Sequence, residues 1–316
     1  MTGETVLRKQ ENRRFDWLRK DMKKNGSLYL LMLPVILFYL YFHYKPMYGL
    51  LISFQDFSFR KGILGSEWVG LENYRRFFND PYFTRNIVNT FRISLTNLLY
   101  GFPAPIILAL LMNELKSERF KKTVQTVTYL PHFISLVVVC GMVKDYVAVD
   151  GFITGIVSTI TGIEIEETLL NNSKLFVPIY VISTIWQEIG WGSIIYLAAL
   201  SGVDQGLYEA ATVDGAGRLR QTFAITLPSI IPTIITMFIL KLGKVLSVGY
   251  EKILLLVNPY NAETAEILSY YIYKKGIEGG EYSLSTAAGL FNSVINCIFV
   301  VTANKISRSV SETSLW

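Results

Sequence analysis

The sequence predicts an all-α membrane protein with six transmembrane helices and both termini on the cytoplasmic side. Three observations predict it. The 316 residues are 51% hydrophobic and only 17% charged, with mean hydropathy +0.35, well under the charged fraction of about 25% usual in soluble domains. Six apolar runs are each long enough to cross a bilayer, which takes about 20 helical residues. Lysine and arginine alternate in density between the connecting segments. The apolar content excludes intrinsic disorder, and two cysteines cannot staple a secreted domain. Cys140 and Cys297 lie in apolar runs and read as small buried hydrophobes. A net charge of +5 and pI near 9.0 would suit nucleic acid, but the basic residues flank apolar segments, so no nucleic-acid partner is expected.

Five runs contain no Asp, Glu, Lys or Arg: residues 27–44, 93–113, 123–143, 221–240 and 282–304. The first follows a basic leader and could be a signal sequence. It outlasts a typical signal core and no A-x-A-like cleavage site follows, so it is kept as the first helix. The sixth run, 175–203, is interrupted by Glu188 alone. Sixteen Lys and Arg fall in the leader 1–26, the 114–122 and 201–228 loops and the tail 305–316. Twelve fall in the longer opposite segments, and the positive-inside rule puts both termini in the cytoplasm. The opposite segments 45–92, 144–175 and 250–281 mix aromatics and glycines and read as short interfacial helices capping a bundle that spans 27–304. In the leader, Phe15, Trp17 and Leu18 among basic residues suit an interfacial helix over 10–24, with a solvated basic leader as the alternative.

The 201–228 loop reads locally as a short helix after Asp204, an Asp-Gly turn in which Gly215 takes positive φ, and a second short helix before Pro228 opens the next span. Its order, Glu209-Ala210-Ala211, then Asp214-Gly215, then Ile225 and Leu227-Pro228, resembles the EAA loop of ABC-importer permease subunits. Tyr196-Leu197-Ala198-Ala199-Leu200, Trp68-Val69-Gly70-Leu71-Glu72-Asn73-Tyr74 and the six-run topology resemble the maltose-type sugar permeases. Gly249-Tyr250-Glu251-Lys252-Ile253-Leu254 and Ser314-Leu315-Trp316 resemble the branch handling oligosaccharides and polysaccharide fragments. The resemblance covers nearly the whole chain and implies a type I ABC importer permease in the bacterial plasma (inner) membrane. It implies that Glu209, Ala210, Ala211, Asp214 and Gly215 contact a cytoplasmic ATPase dimer. It also implies a second permease subunit, an extracellular solute-binding protein, an oligosaccharide substrate and a membrane-lipid surround. The chain lacks a G-x-x-x-x-G-K-[ST] phosphate loop, so ATP and Mg are expected on the partner ATPase and no cofactor or catalytic residue on this chain.

Within the runs, Thr184, Gln187, Glu188 and Trp191 share one helix face by i, i+3, i+4, i+7 spacing. Lys241, Lys244, Val245 and Val248 form a second stripe, with Lys241 near mid-span if the fifth helix runs from Pro228 to Tyr250. The resemblance places both stripes on the substrate pathway, where their charges suggest an anionic or heavily hydroxylated sugar. Alternatively, Glu188 and Lys241 pair to hold helices together, or Lys244 snorkels outward. Asn97, Asn292 and Asn296 read as interhelical hydrogen-bonding groups. His43 and His132 are the only histidines, lie in different runs and form no metal motif. The competing reading is a stand-alone secondary transporter with Glu188 as an ion or proton relay, though no internal repeat is visible.

Overall fold

A computed structural model describes residues 21, 23–246 and 248–310; the 10–24 expectation falls almost wholly outside them. Helix α1, Gly26–Phe54, carries a π turn at Leu40–Tyr44 and ends in a 3-10 stretch, Tyr48–Phe54. None of its most apolar window is buried within the chain. A two-stranded ribbon, β1 Gln55–Asp56 with β2 Glu67–Trp68, leads to α2, Glu72–Phe78. Then come α3, Phe83–Asn113; α4, Glu118–Tyr129; α5, Leu136–Tyr146; α6, Phe152–Thr161; and α7, Ser173–Ser201. The remainder comprises α8, Gln205–Val213; α9, Arg218–Leu242; α10, Tyr250–Leu256; α11, Leu268–Tyr273; and α12, Tyr282–Val310. The last helix therefore continues past residue 304 into the predicted tail.

Among the described residues, four helices (α1, α3, α9 and α12) are long and apolar enough to cross a membrane, and a fifth crossing arises if the bent pair of 118–133 and 136–146 counts as one. The 29-residue α7 falls outside this set because Gln187 and Glu188 dilute its apolar run.

The expected straight span over 123–143 is broken. Pro131 sits in a 3-10 turn, Leu130–Phe133, Ile134 adopts extended backbone (ψ 135°), and the chain turns by 101° before α5. Ser135 restarts the helix by accepting from Val138 N at 3.4 Å. Residues 218–242 correct the opposite expectation. The short helix after the Asp-Gly turn and the fifth span are one helix, joined through a π turn at Thr222–Thr226.

Helix α7 is the hub. Asn172 caps it by accepting from Lys174 N at 3.0 Å. Its buried Phe176, Val177, Tyr180 and Val181 pack with Cys140 and Val143 of α5 and with Ile253 and Leu256 of α10. Nearer its C-terminus, Tyr196 and Leu200 pack with Ile106, Ala109 and Ile230. Cys140 is buried as expected, whereas Cys297 is exposed.

The segments around 53–92 and 250–283 are tied together by side chains. Asn73 Nδ2 donates to the carbonyls of Ser53 and Gln55 (3.0 and 2.9 Å), and Asn89 Nδ2 to those of Glu263 and Glu266 (2.7 and 2.9 Å). Phe57 N donates to Ser283 Oγ at 2.9 Å, and Arg85 pairs with Glu266. Tyr271 donates to Asp80 at 2.8 Å. Burial first, then that hydrogen bond, pushes the Tyr271 hydroxyl well above its usual range, so it stays a donor at physiological pH.

Candidate functional site

Two regions carry the polar chemistry. In the first, the Asp204 carboxylate accepts from Gly206 N at 2.9 Å and starts α8. Gly215 then adopts φ 75°, a left-handed conformation that costs L side chains but not glycine. Around the turn, Ala216 N donates to Ala211 O at 2.8 Å and Gly215 N to Thr212 O at 3.1 Å. Gln221 Nε2 donates to Thr212 Oγ1 and Ala216 O, both at 3.0 Å, and Tyr208 bonds Thr226 at 2.9 Å. The hairpin is thus internally braced. Its outer surface exposes Glu209, Ala210 and Asp214, with Ala211 half-buried. Beside them Val213 (88%), Leu219 (77%) and Phe223 (68%) are also exposed. Three large apolar groups thus stand open beside the Glu209 and Asp214 carboxylates on the braced turn.

The second region is the inward elbow before α5, which rests on α7. His132 Nδ1 lies 3.2 Å from Glu188 Oε2, and its ring stacks on Trp191 at 4.6 Å with an interplanar angle of 2°. Phe133 meets the same indole edge-on at 5.7 Å. Gly190 permits this seat, because a Cβ there would overlap the Thr128 carbonyl and stand 2.8 Å from Tyr129 N. Below the elbow, Trp191, Gly192, Phe102, Pro105, Tyr196 and Lys241 line a cavity of ≈ 560 Å³.

The predicted stripes are only partly realised. Glu188 and Trp191 share an open face, Thr184 is half-buried, and Gln187 is buried, so it turns into the bundle. The second stripe does not form. Helix α9 ends at Leu242, leaving Lys241 in its last turn, not mid-span. Lys244 lies exposed in the following turn, Val245 is buried there and Val248 is non-helical. The end is held by Ser94 Oγ donating to Val245 O and by Leu246 N donating to Asn296 Oδ1 at 3.1 Å. Those bonds satisfy backbone groups of the buried turn that follows the helix end. Asn296 thus ties α12 to the turn that follows α9, whereas Asn97 Oδ1 and Asn292 Oδ1 are buried without a hydrogen-bond partner.

No Glu188–Lys241 ion pair exists among the described residues; His132 takes the carboxylate. Sequence reasoning assigns His132 no role because its partner is 56 residues away. It misses Lys252 as well, which is 5% exposed and bonds Thr184 Oγ1 at 2.8 Å. The lone signal in sequence is a lysine followed by Ile253, Leu254, Leu255 and Leu256.

Residues 94–312 match the family described as binding-protein-dependent transport system inner membrane component. The chain is 43% identical over 313 residues to the polygalacturonan/rhamnogalacturonan transport system permease protein YteP of Bacillus subtilis (strain 168), covering 99% of this chain and 97% of that one. Protein LplB of the same organism is 43% identical over 296 residues, covering 93% and 92%. Among solved structures, a bacterial ABC transporter involved in the import of the acidic polysaccharide alginate contains a chain 42% identical to this one. It superposes with a TM-score of 0.85 over 93% of this chain and 99% of that one. A second, the bacterial alginate ABC transporter in complex with its alginate pentasaccharide-bound periplasmic protein, gives 41% identity and a TM-score of 0.85 over 94% and 99%.

Proposed function

The chain belongs to the family of binding-protein-dependent transport system inner membrane components, and from that premise we propose that it is a permease subunit of an ATP-driven importer of acidic oligosaccharides. The observation that carries this reading is end-to-end similarity to a permease named for polygalacturonan, a polymer of uronic acid, joined to the fold of a chain from an alginate importer. Lysines at the mouth and flank of the α7 face, Lys241 and Lys252, suit a substrate bearing carboxylates.

Counting α7 and the elbowed α4–α5 pair as one crossing each brings the four apolar helices to six crossings of a bacterial plasma membrane. The lysine and arginine asymmetry orients both termini toward the cytoplasm. In that orientation the braced hairpin faces a cytoplasmic ATPase dimer, which holds ATP and Mg; Glu209, Ala210, Ala211, Asp214 and Gly215 form the contact. The tied segments around 53–92 and 250–283 face a solute-binding protein outside. A second permease completes the pathway, and α1, unburied within its own chain, offers it an apolar surface. The pathway face comprises Glu188, Trp191 and Lys241, with Thr184 behind them.

Cysteines introduced at Gly217 are expected to label only from the cytoplasm and those at Gly65 and Gly279 only from outside. External labelling at Gly217 refutes the orientation. The function itself is tested in proteoliposomes holding both permeases and the ATPase. A loaded binding protein should stimulate ATP hydrolysis and drive uptake of an oligogalacturonate or oligoalginate. Ion-driven uptake by this chain alone, without ATPase, overturns the reading in favour of a secondary transporter working through Glu188.

A further inference from the structure

Burying an ammonium group is costly unless an anion accompanies it, and Lys252 is buried without one. From α10 its Nζ donates to Thr184 Oγ1 at 2.8 Å and to the Tyr180 carbonyl at 3.4 Å, and it stands 5.0 Å from the Tyr180 ring centroid. These partners are neutral. No carboxylate lies within ion-pair distance among the described residues. Glu188, one turn along α7 from Thr184, is engaged by His132 instead. Thr184 is where this cation reaches the face that Glu188 and Trp191 share, and Lys241 flanks Trp191 in the cavity below. From Thr184 to Trp191 is seven residues, about 10 Å of helix. The α7 face therefore carries a lysine toward each end, with its single carboxylate already occupied.

We propose that Lys252 determines specificity for acidic sugars: its ammonium exchanges the Thr184 hydroxyl for a substrate carboxylate as the sugar passes along the α7 face. The proposal rests on the acidic-oligosaccharide reading above. A flexible four-carbon stem lets the head move between the two acceptors without shifting α10. A bond from a charged donor to a carboxylate is stronger than one to a neutral hydroxyl, so the exchange is favourable only for substrates that bring an anion.

The test uses the complete importer in proteoliposomes with Lys252→Met and Lys252→Arg. Methionine keeps the length and loses the charge; arginine keeps the charge and adds bulk. Assembly is read by copurification and uptake with a saturating binding protein carrying an oligouronate. Specificity predicts that Lys252→Met assembles but takes up the oligouronate about tenfold more slowly or worse, while Lys252→Arg retains more activity than Lys252→Met. A packing role predicts the reverse order, since an apolar isostere relieves an uncompensated buried charge. Lys252→Met equal to or better than Lys252→Arg overturns the proposal, as does failure of both variants to assemble. If the wild-type importer itself takes up neutral oligosaccharides and no acidic one, the substrate reading fails and carries this proposal with it, a result visible before any variant is made.

Discussion

Gly215→Pro and Glu209→Lys should each leave the transporter assembled in the membrane and abolish its substrate-stimulated ATP hydrolysis. Proline is confined to φ near −65°, whereas Gly215 sits at 75° and its N–H donates to Thr212 O at 3.1 Å. The substitution therefore removes both the turn and a bond within it. The helices on either side keep their own bonds, because α8 ends at Val213 and α9 begins only at Arg218. Reversing the charge of exposed Glu209 leaves the fold alone and acts across the proposed interface, where loss of a close charged contact costs about 2–5 kcal/mol, a drop of roughly thirtyfold or more. Gly215→Ala tolerates the conformation at a cost of about 1–2 kcal/mol and should fall between wild type and Gly215→Pro. Arg220→Ala, outside the proposed contact, should have the smallest effect. Normal coupling in both severe variants, measured as ATP hydrolysis with and without loaded binding protein, removes the ATPase-docking assignment.

Gly190→Ala should be nearly as damaging for an unrelated reason. The added methyl overlaps the Thr128 carbonyl, a backbone atom with nowhere to move while the elbow rests on α7. The expected cost is about 3 kcal/mol, at the upper end for an overpacked core. The elbow lifts, and with it go the His132–Glu188 contact and the stack of His132 on Trp191. Gly141→Ala is the matched control: it lies within α5, where an added Cβ meets nothing within 4 Å. There a methyl gains helix propensity worth about 1 kcal/mol. Thermal denaturation of the assembled transporter should separate the two clearly. Equal melting temperatures would show that the close approach at Gly190 does not hold the elbow.

The contrast between these glycines marks what the sequence makes legible. Long charge-free runs, a hairpin with Asp204 at its start and Gly215 at its turn, and the flanking basic residues are local signals, and each is read from a window of a few residues. Pro131 is not decisive in the same way, because proline inside an apolar helix is tolerated where neighbours satisfy the freed backbone groups; that the elbow rests on α7, with Thr128 against Gly190, is visible only in the fold. The premature end of α9 did leave a local trace. Lys241 followed by Gly243 matches a helix stop, and reading it would have removed Lys244, Val245 and Val248 from the pathway. His132 meeting Glu188 and Lys252 meeting Thr184 span 56 and 68 residues. No periodicity carries information over that distance, so the polar cluster emerges only from the fold.

The bare first helix has a thermodynamic consequence. Between helices in lipid there is no hydrophobic driving force, since acyl chains are as apolar as leucine, so the stretch of α1 before its 3-10 end, exposed within its own chain, gains packing energy only from the second permease proposed above. Part of the native stability then follows mass action: it grows with the concentration of partner in the bilayer and vanishes on dilution. A melting temperature measured on this chain alone describes a different equilibrium from that of the transporter. In the assembled state it should rise as the ratio of subunits to lipid is increased.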